Sequence, residues 1–423
     1  MFANIKQIFS SQNKDLRRRI YFTLLCLGIF AYGTTITIPW ANTIYEELGF
    51  LEIFNLMAGG GLRTFSIFAL GVSPYITASI ITQLLQMDII PYFKELKEEG
   101  YTGRQKINKI TRYIGVVFAF IQAYVITIAY MKGMSTPDIL KTTLVMTAGT
   151  CLLIWIGDEI TNKGIGNGTS LLILAGIIQS LPATFIQAFN SLITSGTYSN
   201  VLGITLFSIF VIVYVIIIVG VVWTQLAERR IPIQYANHTQ TAYGAKQSYL
   251  PIKLNAANVI PVIFASTLIT IPVTIVNLIK NDAAIEFVNN YINYTSWTGM
   301  IIYVLLIMFF GYFWTMMQMN PEEMAKNLNK DGGYIPGIRP GTDTTKYVSR
   351  IIGSLTLVGS VILVIIAILP ILFSKLSGLP SQVTIGGTGL LIVVGVAIET
   401  YKQIESSLIS RSYSKGYRRR WKI

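Results

Sequence analysis

Charge is scarce in this chain. Only 13% of its 423 residues are Asp, Glu, Lys or Arg, against about 25% in a soluble domain. The polar coat that would wrap a water-soluble core is therefore missing. One histidine and two distant cysteines, Cys26 and Cys151, give neither a zinc site nor a disulfide framework. Both thiols fall inside apolar blocks, where cysteine behaves as a small hydrophobe. No G-x-x-x-x-G-K-[ST] loop is present, so the chain carries no nucleotide-hydrolysing site of that kind. What the sequence does have is apolar residues, 52% of the total, gathered into long blocks. Those features leave a polytopic membrane protein.

A helix crossing the hydrocarbon core needs roughly 20 mostly apolar residues. Ten blocks qualify: 20–40, 68–87, 113–131, 142–157, 169–190, 203–224, 255–278, 297–318, 351–373 and 385–401. The shortest, 142–157 and 385–401, are the ones on which the parity of the topology turns. The basic N-terminus before the first block (Lys6, Lys14, Arg17, Arg18, Arg19) resembles a signal peptide, but no small-residue cleavage site follows, so the block reads as a permanent helix. Segment 53–66 is apolar yet too short and glycine-rich to span; it reads as a re-entrant piece shielded from lipid. Of the 33 Lys and Arg, 28 fall in one alternating set of loops (1–19, 88–112, 158–168, 225–254, 319–350 and 402–423). The other set holds five: Arg63, Lys132, Lys141, Lys280 and Lys375. By the positive-inside rule both termini lie in the cytoplasm of a cell-membrane protein.

The cytoplasmic loops 225–254 and 319–350 are too long for connectors, which points to a large docking partner. Binding of anionic lipid would explain their charge but not their length. None of the ten apolar cores contains an ionisable residue; Glu399 stands at the edge of the last. Coupled carriers and intramembrane enzymes place such groups inside the membrane, so their absence argues against both classes. Any work must be driven from outside. Gly164-Ile165-Gly166-Asn167-Gly168 follows no strand and reads as a tight turn into a helix, not a nucleotide loop. Asn320-Pro321-Glu322-Glu323 reads as the capped start of a helix in the second long loop.

Five stretches, in order along the chain, resemble the SecY family of protein-translocation channels. They are Ser66–Ile80 (SIFALGVSPYITASI), Lys163–Gly168 (KGIGNG), Leu250–Asn255 with Val259–Ser266, Gly332–Gly341 (GGYIPGIRPG) and Gly386–Val394 (GGTGLLIVV). The resemblance implies an all-α fold of ten transmembrane helices in two inverted five-helix halves, 1–190 and 191–423, around a central pore. It implies no enzymatic activity and no cofactor. The implied partners are SecE-like and SecG-like membrane subunits, a SecA motor ATPase or the ribosome, and secretory or membrane-protein substrates bearing signal sequences. It covers a housekeeping channel and an accessory paralogue for dedicated substrates equally; a small-solute secondary transporter is the contrasting reading.

Carried over by motif position, the family's apolar pore ring falls on Val72, Ile76, Thr169, Ile173, Ile263 and Ile392. A narrow apolar ring dewets and blocks hydrated ions, although by themselves these are ordinary packing aliphatics. Segment 53–66 takes the place of the plug, with Phe54, Asn55, Leu56 and Met57 followed by Gly59, Gly60 and Gly61, glycines that suit either a hinge or close packing. Gln83 and Asn255 occupy polar positions of the lateral gate, where an interhelical amide bond is worth ~0.6–2 kcal/mol; Asn255 could equally cap its own helix. Arg339 takes the place of the motor-coupling arginine, with Arg229 and Arg230 as further docking contacts. Two departures stand out. Gln240-Thr241 replaces the basic pair common at that loop tip, which weakens the case for ribosome docking. Thr169 puts a hydroxyl where the ring is usually aliphatic, so it either invites water or bonds back to a carbonyl one turn earlier.

Overall fold

The structure is a computed structural model describing residues 14–41, 43–44, 51–86, 90–131, 135–194, 199–235, 248–279, 282–293, 296–378 and 381–420. Gln240-Thr241 and part of the basic termini lie outside those residues. Helices dominate. The first half comprises α1 (Lys14–Gly33), the short α2 (Glu52–Met57), α3 (Ser73–Leu85), α4 (Pro91–Glu98), α5 (Tyr101–Tyr130), α6 (Thr136–Lys163) and α7 (Gly168–Phe189), which runs into a π-turn at Asn190–Thr194. Then come α8 (Asn200–Leu226), strands β1 (Glu228–Tyr235) and β2 (Ser248–Lys253), α9 (Ile260–Ile279), α10 (Asp282–Tyr291), α11 (Trp297–Gln318), α12 (Pro321–Lys330), β3 (Gly333–Tyr334), α13 (Thr342–Ser377) and α14 (Ser381–Arg420). Every one of the ten apolar blocks is occupied by a helix. Among the described residues, six stretches are long and apolar enough to cross a membrane: Tyr101–Tyr130, Thr136–Lys163, Gly168–Thr194, Asn200–Leu226, Trp297–Lys330 and Thr342–Ser377.

Inside those helices the hydroxyls are largely self-satisfied. Thr111, Thr127, Thr147, Thr184, Thr224, Thr315 and Thr356 each donate to the carbonyl one turn earlier, which satisfies the hydroxyl within its own helix. Thr150 of α6 is an exception, its buried hydroxyl finding no partner among the described residues. Small residues let backbones approach. A Cβ on Gly149 of α6 would strike the Ile67 carbonyl, and one on Gly168 of α7 would strike that of Gly157.

Two expectations need correcting. The block 68–87 turns helical only at Ser73: residues 68–72 form turns, with Gly71 at φ +57°, and Pro74 opens α3. Nor is the fold purely α-helical, because the two long loops meet in a three-stranded sheet of order β2-β1-β3. β1 pairs antiparallel with β2 (Ile231 opposite Leu250) and with β3 (Gln234 opposite Tyr334). Ile231 and Ile233 alternate with exposed neighbours along β1. Ile231 packs with Ile252, Ile335 and the start of α13 at Val348, Ile351 and Ile352. That alternation, period 2 over a few residues, is the strand signal hidden in a segment read as loop. The helix expected after Asn320 is present: Asn320 Oδ1 accepts from the Glu322 amide at 3.0 Å.

Candidate functional site

Four helices deliver the proposed ring to one place. Val72, which caps α3, Ile173 of α7 and Ile392 of α14 are at most 5% exposed and belong to one apolar cluster. Ile76 of α3 and Ile263 of α9 are half-buried and pack against it. The Ile76 amide donates to the Val72 carbonyl at 3.1 Å, the first turn of α3, so both residues face the same side. Thr169 stands one turn before Ile173 on α7. It lies half-buried in the first turn of α7, beside Gly157 of α6. The turn before it is set by Gly166 at φ +85° and by Asn167, whose side-chain oxygen accepts from the Thr169 and Ser170 amides at 3.1 and 3.3 Å. No helical turn precedes Thr169, so back-bonding of the kind made by the mid-helix threonines is closed to it. Its hydroxyl makes no hydrogen bond among the described residues.

The short segment lodges against that cluster. α2 packs between α7 and α14, and its Leu56 and Met57 are buried in the same cluster as Val72, Ile173 and Ile392, with Phe54 against them. The glycines divide by role. Gly59 and Gly60 take φ of +66° and +82°, a turn that disfavours any side chain, and Gly60 has open space around it. Gly61 has an ordinary φ and is needed for room, since a Cβ there would press on Ser66 and the Ala58 carbonyl. Across the interface, a Cβ on Gly176 of α7 would overlap the Met57 carbonyl, and Gln179 stands over Gly59 while bonding Thr34, just past the end of α1, at 2.8 Å. Asn55, expected only as part of the segment, is 4% exposed and bonds Glu52 at 2.7 Å. Sequence reasoning missed Glu52, Arg63, Gly176 and Gln179. The readable signal was an acid inside an apolar stretch with a lone arginine eleven residues on.

Gln83 and Asn255 are not brought together. Gln83 Nε2 donates to Ser79 Oγ on its own helix at 3.1 Å, and its buried carbonyl oxygen has no partner among the described residues. Asn255, 5% exposed, donates to the Asn258 carbonyl at 2.9 Å within the turn that leads into α9. The bond is local, but it is not a helix cap, since the side chain donates to a carbonyl and α9 begins only at Ile260. The contact between α5 and α9 is what joins the two sides here.

Arg339 stands exposed in the 336–341 turn, between Gly337 at φ +81° and Gly341 at φ +104°. Its carbonyl accepts from Thr344 Oγ1 at 2.9 Å, fixing the turn on the first residues of α13. Arg229 is exposed on β1, and neither guanidinium has an acidic partner among the described residues. Arg230 differs: it pairs with Glu228 at 2.8 Å, lies over the Tyr249 ring, and has its pKa pushed up by that carboxylate. β1–β3 pairing carries both loops into one surface, tied by Tyr334 Oη donating to Gln234 Oε1 at 2.9 Å.

The chain is similar to known proteins along most of its length. The SecY family model matches residues 66–401. A protein of Halalkalibacterium halodurans named "Protein translocase subunit SecY" is 45% identical over 433 residues, covering 99% of this chain and 100% of the relative. One of the same name from Staphylococcus aureus is 44% identical over 425 residues, covering 96% and 97%. Among solved structures, "The structure of a protein conducting channel" aligns with TM-score 0.70 at 21% identity over 93% of each chain. "Sec61 in the Canine ribosome-channel complex from the endoplasmic reticulum" aligns at 0.65 and 20%, also over 93% of each. Matches of that extent place the shared architecture along nearly the whole chain, and the chain belongs to the SecY family.

Proposed function

We propose that this chain is the passive protein-conducting channel of a Sec translocase in the cell membrane, passing unfolded secretory chains and releasing membrane segments sideways into lipid. It is a multi-pass channel protein and not an enzyme. In this reading all ten apolar helices span, with α2 as the plug; residues 1–190 and 191–423 form the two halves; and both termini, with the β1–β3 surface, face the cytoplasm. The observation that carries it is the apolar cluster that Val72, Ile76, Ile173, Ile263 and Ile392 build from α3, α7, α9 and α14, with the short α2 seated against it. An apolar constriction seals by dewetting yet yields to a chain that displaces no bound ion. Thr169, at the edge of the ring, supplies its one hydroxyl. Arg229 and Arg339, with no acidic partner among the described residues, offer cationic contacts to a motor of the SecA type or to a ribosome, and Arg339 on its stiff turn suits a bidentate carboxylate or phosphate. SecE-like and SecG-like subunits complete the assembly, anionic lipid borders the basic loops, and α3/α5 against α9/α11 form the lateral gate near Gln83 and Asn255. The test is site-specific photocrosslinking from Ile173 and Ile392 with a secretory precursor jammed in transit. Both positions should crosslink the precursor, while lipid-facing Val219 should not; labelling from Val219 alone would defeat the reading.

A further inference from the structure

A six-residue helix does not hold its shape unaided, since nucleating so few residues is unfavourable. Yet α2 is seated, and a buried acid at its first turn shows what secures it. Glu52 is 2% exposed, the charge least expected in an apolar interior. Its carboxylate accepts from Asn55 Nδ2 at 2.7 Å and meets Arg63 Nη2 at 3.3 Å. Asn55 completes a ring of contacts: its side-chain oxygen accepts from the Arg63 amide at 3.2 Å, and its carbonyl accepts from the Gly60 amide at 2.8 Å. Arg63 is itself moored outside the loop. Its carbonyl accepts from the Ile44 amide at 2.8 Å, and two residues on, Phe65 O accepts from the Ile38 amide at 2.9 Å. The pair therefore joins the N-terminal end of α2 to a limb already fastened to residues 36–44. Residues 53–62 form a loop closed at its base, with Met57 and Gly59 at the tip against Gly176 and Gln179 of α7.

We propose that Glu52 and Arg63 are positioning residues for the channel's seal: an ion-pair clamp at the base of the plug, braced by Asn55, that keeps its tip in the pore when the channel is idle. The inference rests on the plug reading and adds to it the pair that sets how readily the plug leaves. Glu52 bonds Asn55 and Arg63, both within the 52–63 segment, so it acts through the shape of the loop. Because the clamp lies at the base and the glycine turn at the tip, a passing chain can swing the tip while Arg63 stays fixed to residues 36–44. Removing either partner deletes the charge-assisted contact that ties the first turn of α2 to the 63–66 limb, and the seat loosens with it.

The experiment compares idle-channel ion conductance in planar bilayers, and thiol labelling of Leu56→Cys from the external side, across four forms of the full chain in its assembled complex. They are the parent, a deletion of residues 55–61, Glu52→Gln and Arg63→Ala. The deletion sets the scale of an absent plug. Glu52→Gln and Arg63→Ala should each raise idle conductance and Leu56→Cys labelling by about tenfold over the parent. Glu52→Asp and Arg63→Lys, which keep the charges, should recover part of the seal, a rescue that general misfolding would not give. If the deletion opens the channel while Glu52→Gln and Arg63→Ala stay at the parent's level, the clamp is overturned and the plug stands. If the deletion too leaves conductance unchanged, the plug reading falls and the clamp with it. Should Glu52→Gln fail to assemble, Arg63→Ala, which removes the more exposed partner, decides alone.

Discussion

Gly176→Ala is the sharpest single probe of whether α2 closes this channel. A Cβ at that position would overlap the Met57 carbonyl oxygen, lie 2.7 Å from its carbonyl carbon and 3.1 Å from the Gly59 nitrogen. All three are backbone atoms, so no rotamer change relieves the clash. Ordinary contact at 3.4 Å requires the Met57 carbonyl carbon to withdraw by roughly 0.7 Å, and its oxygen, which lies nearer still, by more. Overpacking of this kind costs about 1–3 kcal/mol, which multiplies the unseated population about 5–150-fold. The same substitution strengthens α7 itself by about 1 kcal/mol, alanine being the better helix former. The two effects fall on different measurements: the melting temperature of the purified complex should hold or rise while idle conductance in planar bilayers increases. Gly28→Ala is the matched control, since nothing lies within 4 Å of its added Cβ. If Gly176→Ala conducts no more than Gly28→Ala, then α2 does not contribute to the seal and the proposed plug is a static segment.

Other expectations follow from the same geometry. Thr169→Val removes a hydroxyl that makes no hydrogen bond among the described residues and keeps nearly the same shape; resting conductance and export of precursors with weak signal sequences should both fall, and no change in either would place Thr169 outside the constriction. Asn167→Ala removes the side-chain acceptor for the Thr169 and Ser170 amides and should cost about 1 kcal/mol of stability, visible as a lower melting temperature; an unchanged one would mean the cap is satisfied otherwise. Arg339→Glu reverses an exposed charge with no acidic partner among the described residues. It should abolish motor-driven translocation without altering expression or melting; normal translocation would remove Arg339 from the docking role.

Much of this was legible in the sequence because bilayer physics writes long, uniform signals. Each apolar block holds a helix, and the 164–168 turn and the capping pattern at Asn320 marked two helix starts. Short signals were lost among the long ones. The strand at Ile231 and Ile233 alternates over too few residues to stand out beside a membrane helix, and its partner β3 lies about a hundred residues away. Block 68–87 gave no hint that Gly71 would hold its first residues in a turn. Val72, Ile76, Ile173, Ile263 and Ile392 were singled out by motif spacing alone, since aliphatics carry no chemical mark that separates a constriction from a core. The Glu52–Arg63 pair escaped because a charge near a re-entrant piece reads as solvated until its burial is seen.

The central claim is that a polypeptide passes through this chain under power supplied from outside. Its most direct test is translocation into sealed vesicles containing the purified chain with its SecE-like partner, supplied with a SecA motor, ATP and a secretory precursor. The account predicts that the precursor becomes protease-protected only when channel, motor and ATP are all present, and that a disulfide crosslink holding α5 to α9 blocks membrane-segment release but not resting integrity. Protection that proceeds equally in vesicles lacking the chain, or none in vesicles that contain it with every component active, would contradict the account.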